Sequence, residues 1–354
     1  MGLQVWLAVL GSWLLGLLDL FTSVALIFEG YNQGVMGSVS NTPSFMQMAA
    51  SSVDARGTVV DATEQGGLVA AYYLGAMFGC SIGGKTGDKL GRKKGVWIGA
   101  CSCIQGAALM CASVNSNMFL IARIIAGIGI GLNNAIVLPR VSELSQAHNR
   151  SAAFSLVLTT NFAGIILAYW LKFGVRNSGE PFKWRLSLGF MAIPMVTVFL
   201  TVILLPDSPR WLVSNGRREE AIEILAKVRG DVSHGDPTLL AEVEHLEAVV
   251  ASANHPRNHL RSIVIGPHSG ALHLGHRAWL GFALQLSQQR TGILIVAIWA
   301  GTLFALTVFD SYKSAELRYI FIFFGRMKTV AMAVVWFIYL EVPGRTLEKV
   351  TSCA

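Results

Sequence analysis

Eight stretches of the chain run for about the length of a membrane-crossing helix with few or no charges, and they limit the fold more than any other feature. They are Leu14–Met36, Gly66–Gly84, Gly95–Ser113, Met118–Leu138, Ala152–Phe173, Leu186–Leu205, Ala278–Phe309 and Arg318–Leu340. Crossing the hydrocarbon core of a bilayer takes about 20 mostly apolar residues in a helix. Only helices and closed barrels satisfy their own backbone there, and runs of this length fit helices. The expectation is an all-α membrane protein of eight spans. Composition agrees, because 14% of the residues are charged, against about 25% in soluble domains. Asp19 and Glu29 interrupt the first stretch. Arg326 and Lys328 make the last the weakest, since a charge at mid-bilayer costs at least ~2.5–3.5 kcal/mol on insertion scales. The apolar run that opens at Leu3 has no basic leader, so it reads as the approach to the first span and not as a secretory signal.

The net charge of +7 suggests nucleic acid until its distribution is examined. The basic residues gather between apolar spans and not on a soluble, aromatic-laced face, which excludes a nucleic-acid partner. The densest cluster is "GGKTGDKLGRKKG", Gly83 to Gly95. It reads as a short loop over 85–94 with a single carboxylate, Asp88, inside it. Cytoplasmic loops carry the excess of lysine and arginine. With this loop inside, Arg140, Arg150, the 206–277 segment, Arg345 and Lys349 fall on the same side. An even number of spans then puts both termini in the cytoplasm. The implied domains are a six-helix bundle over 1–205, a cytoplasmic linker over 206–277, two further spans over 278–340 and a tail over 341–354. In the linker, Ala221, Ile222, Leu225 and Val228 share one helical face, as do Leu239, Val243, Leu246 and Val250. They predict short amphipathic helices against the inner membrane surface; the competing reading is a plain connector.

Gly75, Gly79, Gly83 and Gly87 recur every fourth residue, and Gly127 and Gly131 repeat the interval. Small residues at this spacing let membrane helices approach closely. The "GIGIG" at 127–131 is no dinucleotide site, because no strand precedes it. Four of the five cysteines lie in apolar stretches without a CxxC pair, which predicts buried free thiols. Seven histidines between His234 and His276 lie in a polar stretch without cysteine and read as solvated. No nucleophile motif, metal cluster or phosphate loop is present, so neither an enzyme nor a cofactor or metal is expected.

The charged stretch also fits a known pattern. Gly84, Asp88, Lys89, Gly91, Arg92, Lys93 and Lys94 match the loop between the second and third helices of the major facilitator superfamily. "EGYNQGVMGS" (29–38), "RIIAGIGIGLNNAIVLPRVSEL" (123–144), "LAYWLKFG" (167–174), "PDSPRWLV" (206–213), "QLSQQRTGI" (285–293) and "YLEVPGRTLEKV" (339–350) narrow the match. Together they resemble the sugar porter family in its fungal form, with Asp207 in place of the usual glutamate. The resemblance implies a major facilitator fold, in which two six-helix halves rock about a central sugar site. It places the motifs of the family's first seven helices in order and the segment after its twelfth at Glu341–Glu348. Too few residues separate Phe309 from Arg318 for four more helices. The expectation is therefore a complete N-terminal bundle and an incomplete C-terminal one, holding the family's seventh and twelfth helices and lacking the eighth to eleventh.

Site residues follow from the resemblance. Asp88 and Arg92, with Glu143 and Arg210, correspond to a cytoplasmic gate in which a carboxylate meets a helix dipole. Arg123 is an intramembrane cation that needs a partner. Proton-coupled members answer it with an aspartate after the helix-1 Gly-Tyr, and this chain has Asn32 there. An amide does not titrate, so passive flux is favoured, while Asp19 or Glu29 are the alternative proton carriers. Gln288 and Gln289 match a glutamine pair that contacts sugar hydroxyls, and Gln285 lies one turn earlier. The family's helix-5 glutamine falls at Leu158, with Asn161 nearby to compensate. The implied partners are a sugar, a hexose foremost, the lipid bilayer and, in the coupled alternative, protons. The implied location is the plasma membrane. The competing function is a non-transporting relic or regulatory partner of a full-length transporter.

Overall fold

The computed structural model describes residues 13–40, 42–49, 62–144, 150–228, 233, 235–253 and 274–290. All regular structure among them is α-helical. The chain forms two compact units, Met1–Glu247 and Ala248–Ala354. In the first, α1 is Trp13–Val39, α2 Pro43–Ala49, α3 Ala62–Leu90, α4 Arg92–Ala112, α5 Ser116–Leu144 and α6 Arg150–Gly174. Then come α7 (Glu180–Gly189), α8 (Ala192–Leu204), α9 (Pro209–Ser214) and α10 (Arg218–Val228), and α11 runs from Pro237 to Ala253. Gly66–Leu90, Arg92–Ala112, Ser116–Pro139 and Glu180–Ile203 are each long and apolar enough to cross a membrane. At ~1.5 Å per residue, the 27 residues of α1 and the 25 of α6 also exceed a bilayer core in length.

Two sequence expectations change. The stretch 85–94 is not a loop: α3 runs on to Leu90 and α4 begins at Arg92, leaving Gly91 alone between them. Gly91 turns the corner with φ of 94°, a backbone state that costs a side-chain-bearing residue energy and glycine nothing. Charged residues mark this stretch as polar, but they are also good helix formers, so polarity misled the boundary. The second change is in Leu186–Leu205, which is interrupted at Phe190 and Met191. Pro194 has no N–H to offer the Phe190 carbonyl four residues back. That carbonyl instead accepts from Ile193 at 3.1 Å.

The glycine spacing does what it predicts. A Cβ on Gly75 or Gly79 would run into the carbonyls of Ile124 or Ile128, and one on Gly127 or Gly131 into those of Tyr72 or Ala76. Helices α3 and α5 therefore meet backbone to backbone, where van der Waals packing is the main attraction available in lipid. Helices α1 and α6 use the same device, with Gly30 against the Asn161 carbonyl and Gly164 against that of Ile27. Outward from these seams, Met77, Phe78, Ile82, Ile121, Phe162 and Trp170 stand exposed. Such a band is a liability in water and a lipid-facing surface in a membrane.

Side chains distant in sequence close both ends of α4. The Asp207 carboxylate accepts the Lys93 backbone N–H at 3.0 Å, and Arg185 donates to the carbonyls of Cys111 at 2.7 Å and Ser113 at 3.1 Å. A helix leaves such N–H and C=O groups unsatisfied at its ends, and an anion at the start and a cation at the finish also suit its dipole. Beyond the bundle, Leu225 and Ala226 of α10 pack against Leu239 and Val243 of α11, with Ile222 and Leu246 partly covered beside them. The predicted apolar faces of these helices thus meet each other, and α10 also touches α1. In the second unit, α12 is Leu274–Arg290, on which Trp279 and Phe282 pack edge to face at 5.7 Å.

Candidate functional site

A polar cluster interrupts the apolar interior of the first unit. Its centre is Arg123 on α5, 1% exposed and the largest fully buried side chain among the described residues. Its Nη1 donates to Asn32 Oδ1 on α1 at 2.8 Å, and its Nε reaches the Leu68 carbonyl on α3 at 3.4 Å. The guanidinium also stacks over the Tyr72 ring, 4.8 Å from its centroid. No carboxylate among the described residues forms an ion pair with it. A buried cation is thus held by an amide, carbonyls and a ring face, each weaker than a charged partner. Asn32 Nδ2 and the Tyr72 hydroxyl beside it are buried neighbours of each other with no other hydrogen-bond partner among the described residues.

The same region holds a carboxylate. Glu29 precedes Asn32 by nearly one turn of α1, is half-buried, and accepts from Asn134 Nδ2 of α5 at 3.1 Å. Asn161 of α6 lies opposite Gly30, adjacent in the chain to Glu29. Of the residues the sequence singled out, Asn32 and Arg123 are bonded directly, and the Asn161 backbone lies against Gly30. Asn134 lies inside the 123–144 motif but was not singled out in the sequence, and its role emerges from its contact with Glu29.

Asp88 and Arg92, two of the residues expected at a cytoplasmic gate, lie in a second polar region at the α3–α4 corner. Arg92 Nη1 lies 3.2 Å from Asp88 Oδ1, and the Asp88 side chain is 71% exposed. So exposed a pair contributes ~0–1 kcal/mol, and its value is positional. The Trp211 indole N–H of α9 donates to the Asp88 carbonyl at 3.0 Å, and its ring lies against Gly91 beside Asp207. The "PDSPRW" and "GDKLGRKK" motifs are therefore one structural unit. Sequence reasoning missed Asp207 and Trp211 as its fasteners; the available signal was an acid immediately before a Ser-Pro helix start. Arg210 is half-buried on α9, and the side chain of Glu143, at the end of α5, lies outside the described residues.

Gln285, Gln288 and Gln289 are on α12 in the second unit, all exposed. Their spacing of three and four puts them on one side of that helix. The eighth predicted span, the interval 310–317 and the tail lie outside the described residues, as do Asp19's side chain and the region holding most of the histidines.

A helical bundle, among the described residues, with a lipid-compatible exterior and a polar interior cluster is that of a polytopic membrane protein, and its fold is that of the major facilitator superfamily. The chain belongs to the sugar transporter family of that superfamily: the family described as "Sugar (and other) transporter" matches residues 18–345. It is 29% identical over 293 residues to the sugar transporter STL1 of Saccharomyces cerevisiae, covering 80% of this chain and 50% of that one. It is 30% identical over 307 residues to the sugar transport protein MST3 of Oryza sativa, covering 82% and 55%. The proton:xylose symporter XylE, solved with 6-bromo-6-deoxy-D-glucose, shares the fold with a TM-score of 0.70 at 22% identity, over 92% of this chain and 70% of that one. The chain spans about half the length of the curated relatives it matches.

Proposed function

We propose that this protein moves a sugar across a membrane by alternating access, with a monosaccharide of the hexose class as substrate. Family membership across residues 18–345 is the observation that carries this reading. The sugar-transport names of STL1 and MST3 support the substrate class. In this reading residues 1–205 are the N-terminal bundle, 206–277 the cytoplasmic linker, 278–340 part of the C-terminal bundle and 341–354 the tail. Gln285, Gln288, Gln289 and Asn161 contact sugar hydroxyls, which suit amides that both donate and accept. Asp88, Arg92, Glu143 and Arg210 form the cytoplasmic gate. The protein is a multi-pass resident of the plasma membrane with both termini inside. Uptake of labelled D-glucose into a host lacking its own hexose carriers tests the reading. Uptake above the empty-vector rate is the expected result, and no uptake from correctly localised protein would refute it.

A second reading has its own support, because the chain spans only half of its curated relatives' length. Here the protein lacks the family's eighth to eleventh helices, does not transport, and partners a full-length carrier. Transcript sequence across codons 309–318 decides the premise, and an in-frame stretch encoding four more spans would remove it.

A further inference from the structure

A cavity of about 410 Å³ in the first unit belongs to neither polar region described above. It lies among the end of α1, the end of α6 and the start of α7. Arg185 of α7 sits on the carbonyls that finish α4, so the cavity is at the opposite end of the bundle from the corner where α4 begins. Its volume is within the range of about 300–1,000 Å³ common to ligand sites. The floor is apolar and firmly packed. Trp184 is 2% exposed and packs edge to face on Phe45 at 5.7 Å, which packs in turn on Phe119 at 5.1 Å. The Tyr31 hydroxyl of α1 donates to the Ser187 carbonyl of α7 at 2.7 Å and ties two of the walls together.

The rest of the lining is cationic. Lys172 comes from the last turn of α6, Arg176 from the turn that follows it and Lys183 from α7. The Arg176 guanidinium stacks over the Phe173 ring, 4.0 Å from its centroid. Stacking occupies a face of the group, while its N–H donors lie in the plane, where they pair with two phosphate oxygens at once. Glu180 answers Lys183 at 2.7 Å. Three cations against one carboxylate leave two positive charges in excess around the cavity. Beside it, Trp170, Phe173 and Phe182 are each more than half exposed. Aromatic side chains collect at the boundary between membrane and water, and long cations there keep their charged ends in the polar layer. We propose that this cavity binds a phosphate-bearing anion, held by Lys172, Arg176 and Lys183. Free phosphate and the headgroup of an anionic phospholipid share that chemistry. The exposed aromatic side chains favour the lipid, since they offer its acyl chains an apolar surface next to the headgroup seat, and basic pockets between membrane helices hold such headgroups. A bound phosphate bridges α6 to α7 and braces this end of the bundle. The site does not depend on the transport reading.

The test uses the full chain in micelles of an uncharged detergent, with amide hydrogen exchange read over residues 174–184, which line or flank the cavity. Dioleoylphosphatidylglycerol, which is anionic, should slow exchange there. Dioleoylphosphatidylcholine, whose headgroup is neutral overall, should do so much less at the same mole fraction. Lys172→Gln combined with Arg176→Gln should raise the half-saturating phosphatidylglycerol about tenfold or more, from the strength of charge-assisted hydrogen bonds. Lys172→Arg combined with Arg176→Lys keeps both charges and guards against loss of fold, so most of the protection should persist there. Inorganic phosphate separates the two sources. Protection by the lipid alone assigns the cavity to a headgroup, and protection by inorganic phosphate as well assigns it to the free anion. Equal protection in wild type and the double glutamine variant, or no protection from either phosphate source, would overturn the site. Equal protection by the two lipids would overturn its selection for an anion.

Discussion

Helix α5 meets its neighbours in two different ways. Against α3 it presents Gly127 and Gly131, and the contact is backbone on backbone with no space for a methyl group. Against α1 it presents Arg123 and Asn134, and the contact is a pair of side-chain hydrogen bonds at 2.8 and 3.1 Å. The first seam has one arrangement, because hard backbone surfaces do not repack. The second has alternatives, because side chains can exchange partners. One helix thus fixes the bundle on one side and leaves it adjustable on the other.

The largest effect should come from breaking the fixed seam. Gly131→Leu drives a side chain into the Ala76 carbonyl, and overpacking costs ~1–3 kcal/mol or more even where neighbours can move. The expected outcome is loss of the monodisperse peak on gel filtration in detergent, while Gly16→Leu, in open space, retains it. The adjustable seam should tolerate more. Arg123→Ala leaves the Asn32 oxygen unsatisfied, at a cost of ~1–3 kcal/mol. The double change Arg123→Leu with Asn32→Leu should recover most of this, because both polar partners are gone. Thermal unfolding of the two variants checks the difference. Asn32→Asp should instead raise the melting temperature, since a charged acceptor makes a hydrogen bond about twice as strong.

A smaller loss is expected at the corner. Asp207→Ala uncaps α4 and should cost ~0.5–2 kcal/mol, read as faster hydrogen exchange at Lys93. The smallest effect is expected at Asp236, just before α11. The Asp236 carboxylate accepts the Thr238 N–H at 2.8 Å, and hydrogen bonds from the Thr238 side chain and backbone hold its pKa below the usual 3.8. A depressed pKa contributes stability that is present above the unfolded value and is lost as pH falls through the folded one. Protection factors of amides at the start of α11, taken relative to the intrinsic exchange rate at each pH, should therefore fall as pH drops below about 3.8 in wild type, with no such step in Asp236→Asn.

Four of the spans were legible because lipid imposes a length on them, and the α3–α5 seam because glycine every fourth residue has few other uses in a membrane helix. The Asn32–Arg123 contact was foreshadowed by the cost of an unpaired buried cation. What sequence could not supply depended on three-dimensional approach. Nothing local to Asn134 shows that it faces Glu29, and Arg185 reads as one more basic residue near a span end until the carbonyls of Cys111 and Ser113 come into view. The α3–α4 corner was misplaced because a charge run in an otherwise apolar chain suggests a loop, while helix continues up to Gly91 on both sides.

That corner has a mechanical consequence. A linkage one residue long has no slack, so a push or twist on α3 is delivered to α4 almost undiminished. Adding a single residue between Leu90 and Arg92 would give this corner slack and shift α4 relative to α3. The Lys93 N–H would then be carried off its seat on Asp207.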